Sequence, residues 1–296
     1  MSNPSYPFVD FSQNRVFHDE HRGDVLVWDI DKTYLDTHFS SLRGLLSIPL
    51  EGALDKRSVP GSVPLLRALR RGGQPENQFV PLYFVSGSPG AMRGILERKM
   101  LLDGVDFDGI ALKKYVALLR ALRPRMLVRQ VGYKLIALLN YRLLVPGPNH
   151  WLLFGDNAEK DSDVFQIFAD ICAGQEKESL ENTLRRNHVH ELERREVMRL
   201  ANLVQSEKYE STTQILIHLA RTPKTTQPPV DRVIMTHSFL QTALLLAAQG
   251  RIRPMDIRSV LQDVRRRGIP EADVQFLLDD AVHRLGVSSS WREWAQ

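Results

Sequence analysis

The chain has 296 residues, 43% hydrophobic and 25% charged, with a formal net charge of +4, which suits one large domain or two modest ones and excludes a disordered or fibrous class. Cys172 is the single cysteine, so no internal disulfide can form. No apolar run reaches the length of a membrane span and the first twenty residues lack the basic-then-apolar order of a secretory signal, so the expectation is a cytoplasmic protein without integral membrane association.

The first apolar run, residues 24–30 (DVLVWDI), predicts a buried strand, and Trp28 within it is read as core. The strand closes on Asp29-Ile30-Asp31-Lys32-Thr33. Alternate side chains on a strand share a face, so Asp29, Asp31 and Thr33 point the same way if the extended geometry persists. Two carboxylates so placed repel each other and raise a pKa unless a cation intervenes. Magnesium relieves this, since it prefers oxygen ligands and keeps waters for a substrate phosphate. Asp29 can then attack phosphorus to give an aspartyl-phosphate, and Asp31 can protonate the leaving oxygen and later activate water. A plain acidic strand end is the alternative reading of five residues taken alone.

Helical spacing over residues 63–71 is followed by a second strand at residues 79–85 (FVPLYFV), then Ser86-Gly87-Ser88-Pro89-Gly90. Ser86 offers a hydroxyl, and Gly87 lets the backbone approach a phosphate closely. Ser88 suits a helix N-cap and Pro89 a first turn, whose free N–H groups face an anion. An ordinary strand-to-helix turn would read the same way. A helix follows over residues 91–102, where Arg93 is read as a surface residue. A basic amphipathic helix at residues 132–144 opens with Lys134, the lysine chosen to balance the carboxylates and phosphoryl oxygens; Lys113 and Lys114 are its rivals.

A third strand, residues 151–154 (WLLF), leads into Gly155-Asp156-Asn157-Ala158-Glu159-Lys160-Asp161-Ser162-Asp163. Asp156 is placed to complete a magnesium shell. Asp161 orients metal-bound water or Lys134, or simply caps the following helix, and Asp163 is a first-turn charge. Strands alternating with helices predict an α/β fold with a parallel sheet covered on both faces. Cys172 ends this part on an apolar helical face.

Beyond Gly174 the pattern changes. Residues 176–205 are charged, with Leu180, Leu184, Leu192, Leu200 and Leu203 at helical spacing, and a loop with Thr222, Pro223, Pro228 and Pro229 follows. Helices are predicted over 238–249, 255–267 and 271–285, with Gly250, Gly268 and Gly286 as terminators. The expectation is a catalytic domain at 1–174 and an all-helical region at 175–296, for which the sequence names no partner.

The four motifs, in this order, resemble the signature set of the haloacid-dehalogenase-like superfamily, and the DxDxT form at Asp29, Asp31 and Thr33 resembles its phosphatases. A closer likeness is to the actin-patch-associated phosphatidate phosphatase family. Its segments read like DIDDT, a proline-glycine helix start, YVSGSP and GDSGEKDPEIY, against DIDKT, Val59-Pro60-Gly61, FVSGSP and GDNAEKDSDVF here. The resemblance spans residues 24–172 and implies a Rossmann-like three-layer sandwich that hydrolyses phosphomonoesters with magnesium. It implies catalytic roles for Asp29, Asp31, Ser86 and Lys134, and phosphate contacts from Thr33, Ser86, Gly87 and Lys134. It also implies metal ligation by Asp29, Asp31 and Asp156, with Asp161 supporting the metal's water. Lys32 departs from the second acidic residue of DIDDT, and the C-terminal region has no counterpart in the family.

The implied partner is a phosphorylated lipid, small molecule or macromolecule. About fifty residues separate Thr33 from the second strand, including turns at Pro49 and Pro60, which leaves room for a small lid or an open site. Two rival readings are a non-catalytic module binding a phosphorylated or lipid partner, and a nucleic-acid phosphatase. The second rests only on arginines at Arg120, Arg123, Arg125 and Arg129 and at Arg185, Arg186, Arg194 and Arg195, without basic and aromatic residues interleaved. His38, His150, His218 and His237 lack metal-ligand spacing and receive no role.

Overall fold

A computed structural model describes residues 6–36, 57–73, 79–122, 126, 129–220 and 231–291. His38, Pro49, Arg123, Arg125 and the proline loop at 222–229 lie outside the described residues. Strand β2 (Gly23–Asp29) shows how the sequence builds the rest. Val25 and Val27 face one way, Leu26 and Trp28 the other, and all four are fully buried. A strand apolar on both faces needs cover on both, which a parallel sheet with crossover helices supplies.

Six further strands complete the sheet among the described residues: β1 (Val9–Gln13), β3 (Leu82–Pro89), β4 (Gly109–Lys113), β5 (Asn149–Asp156), β6 (Thr212–His218) and β7 (Val233–Thr236). Their order is β1-β4-β3-β2-β5-β6-β7, parallel throughout except for β1, which runs antiparallel to β4. The helices are α1 (Ser62–Arg71), α2 (Arg93–Leu102), α3 (Tyr115–Arg120), α4 (Val131–Leu144), α5 (Asp161–Cys172), α6 (Lys177–Arg186), α7 (Glu191–Ser206), α8 (Phe239–Ala248), α9 (Pro254–Arg266) and α10 (Glu271–Leu285).

Val25, Val27, Trp151, Leu153, Ile215 and Ile217 pack under α4, α5 and α7. Leu26, Trp28, Leu152, Phe154 and Leu216 pack under α1, α2, α8, α9 and α10. Every residue of α4 from Val131 to Arg142 is buried, because α7 covers the side turned away from the sheet. Trp28 is core, stacked on Phe154 at 4.0 Å between ring centroids.

Residues 175–296 are not all helical. They supply β6 and β7, and β6 pairs with β5 from His150↔Thr212 to Asp156↔His218, so one sheet runs across the expected boundary at 174. The segment TTQILIH buries only Ile215, Leu216 and Ile217, too short an apolar run to stand out among helices. From β2 the chain builds outward through β3 and β4 on one side, then returns to build β5, β6 and β7 on the other. Such a reversal opens a crevice at the carboxyl ends of the strands, here between β2 and its neighbours.

Candidate active site

Asp29 is the last residue of β2, buried at the mouth of that crevice. The extended geometry stops there. Ile30 to Leu35 form a turn in which Tyr34 N and Leu35 N both donate to Ile30 O (3.0 and 2.8 Å), and Lys32 N donates to Leu35 O (2.7 Å). Lys32 takes a left-handed φ of 60°. The strand alternation expected to align Asp29, Asp31 and Thr33 therefore does not place them; the turn does.

Asp31 reaches instead towards the end of β3. Its Oδ2 accepts from Ser86 Oγ at 2.9 Å and Ser88 Oγ at 3.1 Å, and Ser88 N donates to Ser86 Oγ at 2.9 Å. Ser88 is not a helix cap, since β3 continues to Pro89 and a short 3₁₀ turn precedes α2. A Cβ on Gly87 would come within 3.3 Å of Tyr133 Oη, so this backbone does lie close against the start of α4. Tyr115 Oη donates to Gly87 O at 3.1 Å.

Of the three candidate lysines, Lys134 meets the carboxylates. From the first turn of α4, 1% exposed, its Nζ donates to Asp29 Oδ1 (2.8 Å), to Glu159 Oε2 (2.9 Å) and to Asp161 Oδ1. Lys113 points its Nζ to Arg129 O, beside the Tyr133 ring, and Lys114 is exposed. Burial alone would lower the pKa of Lys134, but Asp161, Asp29 and Glu159 outweigh it and hold the ammonium well above its usual value. Burial, reinforced by Asp161, raises Asp29 well above the carboxylate range although Lys134 opposes it. Burial, with Asp161 and Glu159 beside it, pushes Asp156 up to about 7. Glu159 stays below its usual value because Lys134 and Gln130 outweigh the effect of burial.

Asp156 ends β5, with Glu159 N donating to its Oδ1 at 3.1 Å and Ala158 N to the same atom. Asp161 Oδ2 accepts from Asp156 N at 3.2 Å while its Oδ1 holds Lys134, so Asp161 ties strand end to lysine. Gly155 makes this possible, since a Cβ there would lie 2.6 Å from Asp161 Cβ.

Asp29, Asp156, Glu159 and Asp161 offer ligand atoms within 4.8 Å of one another. Asp29 Oδ2 and Asp156 Oδ2 are buried with no protein partner, as is Thr33 Oγ1. Two orphaned carboxylate oxygens beside one compensating lysine are a charge and hydrogen-bond deficit that a hard divalent cation fits. The donor set differs from the expected one. The Asp31 carboxylate is turned to the serines and stands outside the group, while Glu159 enters it. Glu159 is assigned no role in the sequence analysis. Its signal was an acidic residue two positions before Asp161, in the turn that folds back over the strand end.

Asp163 is exposed on α5, as a first-turn charge should be. Arg93 binds Asp10 at 3.0 Å and Ser12 at 2.7 Å, anchoring α2 to β1 away from the cluster. Burial pushes the Cys172 thiol up to about 12, which keeps it protonated and poorly nucleophilic.

No protein-family model, curated protein or solved structure matches this chain. Fold and site together define a Rossmann-like α/β protein with a lysine-bridged acidic cluster at the reversal point of its sheet. Among the described residues no helix is long and apolar enough to cross a membrane.

Proposed function

We propose that the chain is a cytoplasmic, magnesium-dependent phosphomonoester hydrolase of the haloacid-dehalogenase-like kind, with Asp29 as nucleophile and Asp31 as acid/base. The observation that carries this reading is the division of labour between the two aspartates. Asp29 is buried, fixed through Oδ1 by Lys134 and left without a partner at Oδ2. Asp31 is half-buried and held by two hydroxyls at the crevice wall. One carboxylate is thus locked for attack and the other stands where it can meet a leaving group and water.

Magnesium, held by Asp29 and Asp156 with Glu159 and Asp161 beside them, would supply positive charge against the phosphoryl oxygens. A carboxylate oxygen of Asp29 forms the new bond to phosphorus as the bond to the ester oxygen breaks, and Asp31 delivers its proton to that departing oxygen. Lys134 keeps Asp29 aligned and balances charge that builds on the phosphoryl group. Asp31, now ionised, takes a proton from water as the water oxygen bonds phosphorus. The bond to Asp29 then breaks, releasing inorganic phosphate and restoring both carboxyl groups. Ser86 and Ser88 orient Asp31 in this scheme, whereas the family resemblance implies a direct phosphate contact for Ser86.

The test is phosphate release from a generic phosphomonoester and from phosphatidate, with and without magnesium, for wild type and Asp29→Asn. Turnover is expected with magnesium only, falling to background in Asp29→Asn. Turnover that survives the substitution sinks the mechanism. Magnesium binding without turnover on any ester points to a binding module instead.

A further inference from the structure

A cavity of about 340 Å³ opens at the carboxyl ends of β6 and β7, within the range of about 300–1,000 Å³ usual for small-molecule sites. It stands apart from the acidic cluster. None of Asp29, Asp31, Asp156, Glu159 or Asp161 lines it, and β6 lies two strands from β2, on the side away from β3 and its serines.

Three parts of the chain build its walls. His218 ends β6 in register with Thr236, the last residue of β7, so His237 and Ser238 follow at the same edge. The start of α10 brings Asp273 and Phe276, and Val59 and Pro60 reach in from the segment before α1. Val59 is fixed there by its N–H, which donates to Tyr34 O at 3.0 Å.

The lining states what such a ligand can be. Apolar side chains make most of it. Among the described residues no lysine or arginine lines the cavity, and Asp273 is its one carboxylate, so an anion would meet a like charge and no counter-charge. Flat rings dominate the rest: His218 stacks on Phe239 at 5.0 Å between centroids, and His237 lies 6.0 Å from Phe276. Burial, with His237 adding to it, lowers the His218 imidazole to about 4, so the ring is neutral at physiological pH. Its Nδ1 is buried without a protein partner. A neutral imidazole carries one proton, and an unpaired buried N–H is rarer than an unpaired buried acceptor, so the proton belongs on Nε2. The wall thereby gains a hydrogen-bond donor.

We propose that this cavity is a second small-molecule site, separate from the acidic cluster, for a neutral flat heteroaromatic ring that lies against Phe276 and accepts a hydrogen bond from His218 Nε2. The site stands whether or not the chain is a hydrolase. Benzimidazole is a suitable probe, being flat, uncharged at neutral pH and equipped with a ring-nitrogen acceptor. Benzimidazole-5-carboxylate presents the same ring with a negative charge. Each is titrated calorimetrically into the full chain, for wild type, Ala220→Trp, Phe276→Ala and His218→Phe. Ala220 is an exposed lining residue, so a bulky side chain there fills the cavity without entering the core. His218→Phe keeps a ring against Phe239 and removes the nitrogens.

Wild type is expected to take up one benzimidazole per chain, at least tenfold more tightly than the carboxylate. Ala220→Trp should abolish that binding, and Phe276→Ala and His218→Phe should each weaken it at least fivefold. Magnesium, added or chelated, should leave it unchanged. No binding in wild type, equal affinity for the carboxylate, or binding that survives Ala220→Trp overturns the site. Unaltered affinity in His218→Phe overturns the recognition proposed for it, and an affinity that depends on magnesium overturns its separation from the acidic cluster. None of these readouts involves turnover, so failure of the hydrolase reading leaves them intact.

Discussion

Lys134 stands 1% exposed among three carboxylates, and its replacement by methionine would leave them buried without a counter-charge. Breaking a buried ion cluster by removing one partner typically costs about 3–5 kcal/mol. Here Asp29 and Asp161 are already raised and can take up protons, so Lys134→Met is expected at the lower end, about 3 kcal/mol in chemical denaturation. Phosphate release should fall at least a hundredfold. Asp156 gives a pH signature. Its folded pKa of about 7 lies above the ordinary 3.8, so the protein binds this proton more tightly than the unfolded chain does. The stability it contributes is present below about pH 4 and lost as pH rises through 7 in cation-free protein. On the proposed reading, magnesium would compensate the ionised form, so a chelator should lower the melting temperature at pH 8 and barely change it at pH 5. An equal effect at both values would count against Asp156 as a ligand of the proposed cation.

At the scale of elements, α4 is the piece that aims Lys134, and its own position depends on one close approach. A Cβ on Gly132 would meet the Glu193 side chain of α7 within 2.4 to 2.8 Å, and Glu193 Cβ is among the atoms met. Gly132→Ala should push α4 from α7, costing about 1–3 kcal/mol and lowering turnover through the displaced lysine two residues on. Measured stability and kcat should fall together; unchanged kcat would show that Lys134 is not set by this packing. The same scale explains what could be read in the sequence. Asp29, Lys134, Asp156 and Asp161 sit where an apolar run meets polar punctuation, so their positions at strand ends and helix starts were legible. The stops at Gly250, Gly268 and Gly286 were legible too, and each takes a left-handed φ. Strands β1 and β4, each five residues, and β6 and β7 were not, because their pairing comes from distant partners rather than from their own pattern. The turn of Asp31 towards Ser86 was hidden for the same reason: it depends on where β3 ends, not on the spacing within DIDKT.

For the whole molecule, the seven-stranded sheet makes the C-terminal region part of the same core as the carboxylates. A fragment ending at residue 174 would expose the edge of β5, and would strip α8, α9 and α10 from Leu26, Trp28 and Phe154. Unpaired apolar edges associate, so residues 1–174 expressed alone are expected in the insoluble fraction, with the full chain soluble under the same conditions. A soluble, cooperatively melting fragment would contradict that dependence. The central place of β2 also sets a timetable. Leu26 pairs with Leu82 on one side and Leu152 on the other, so the strand bearing Asp29 is synthesised long before its second neighbour exists. At about 5–20 residues per second, roughly six to twenty-five seconds separate the two on the ribosome. During that interval DVLVW has at least one bare, sticky edge, and a newborn chain needs that edge shielded until residue 152 and beyond have been made.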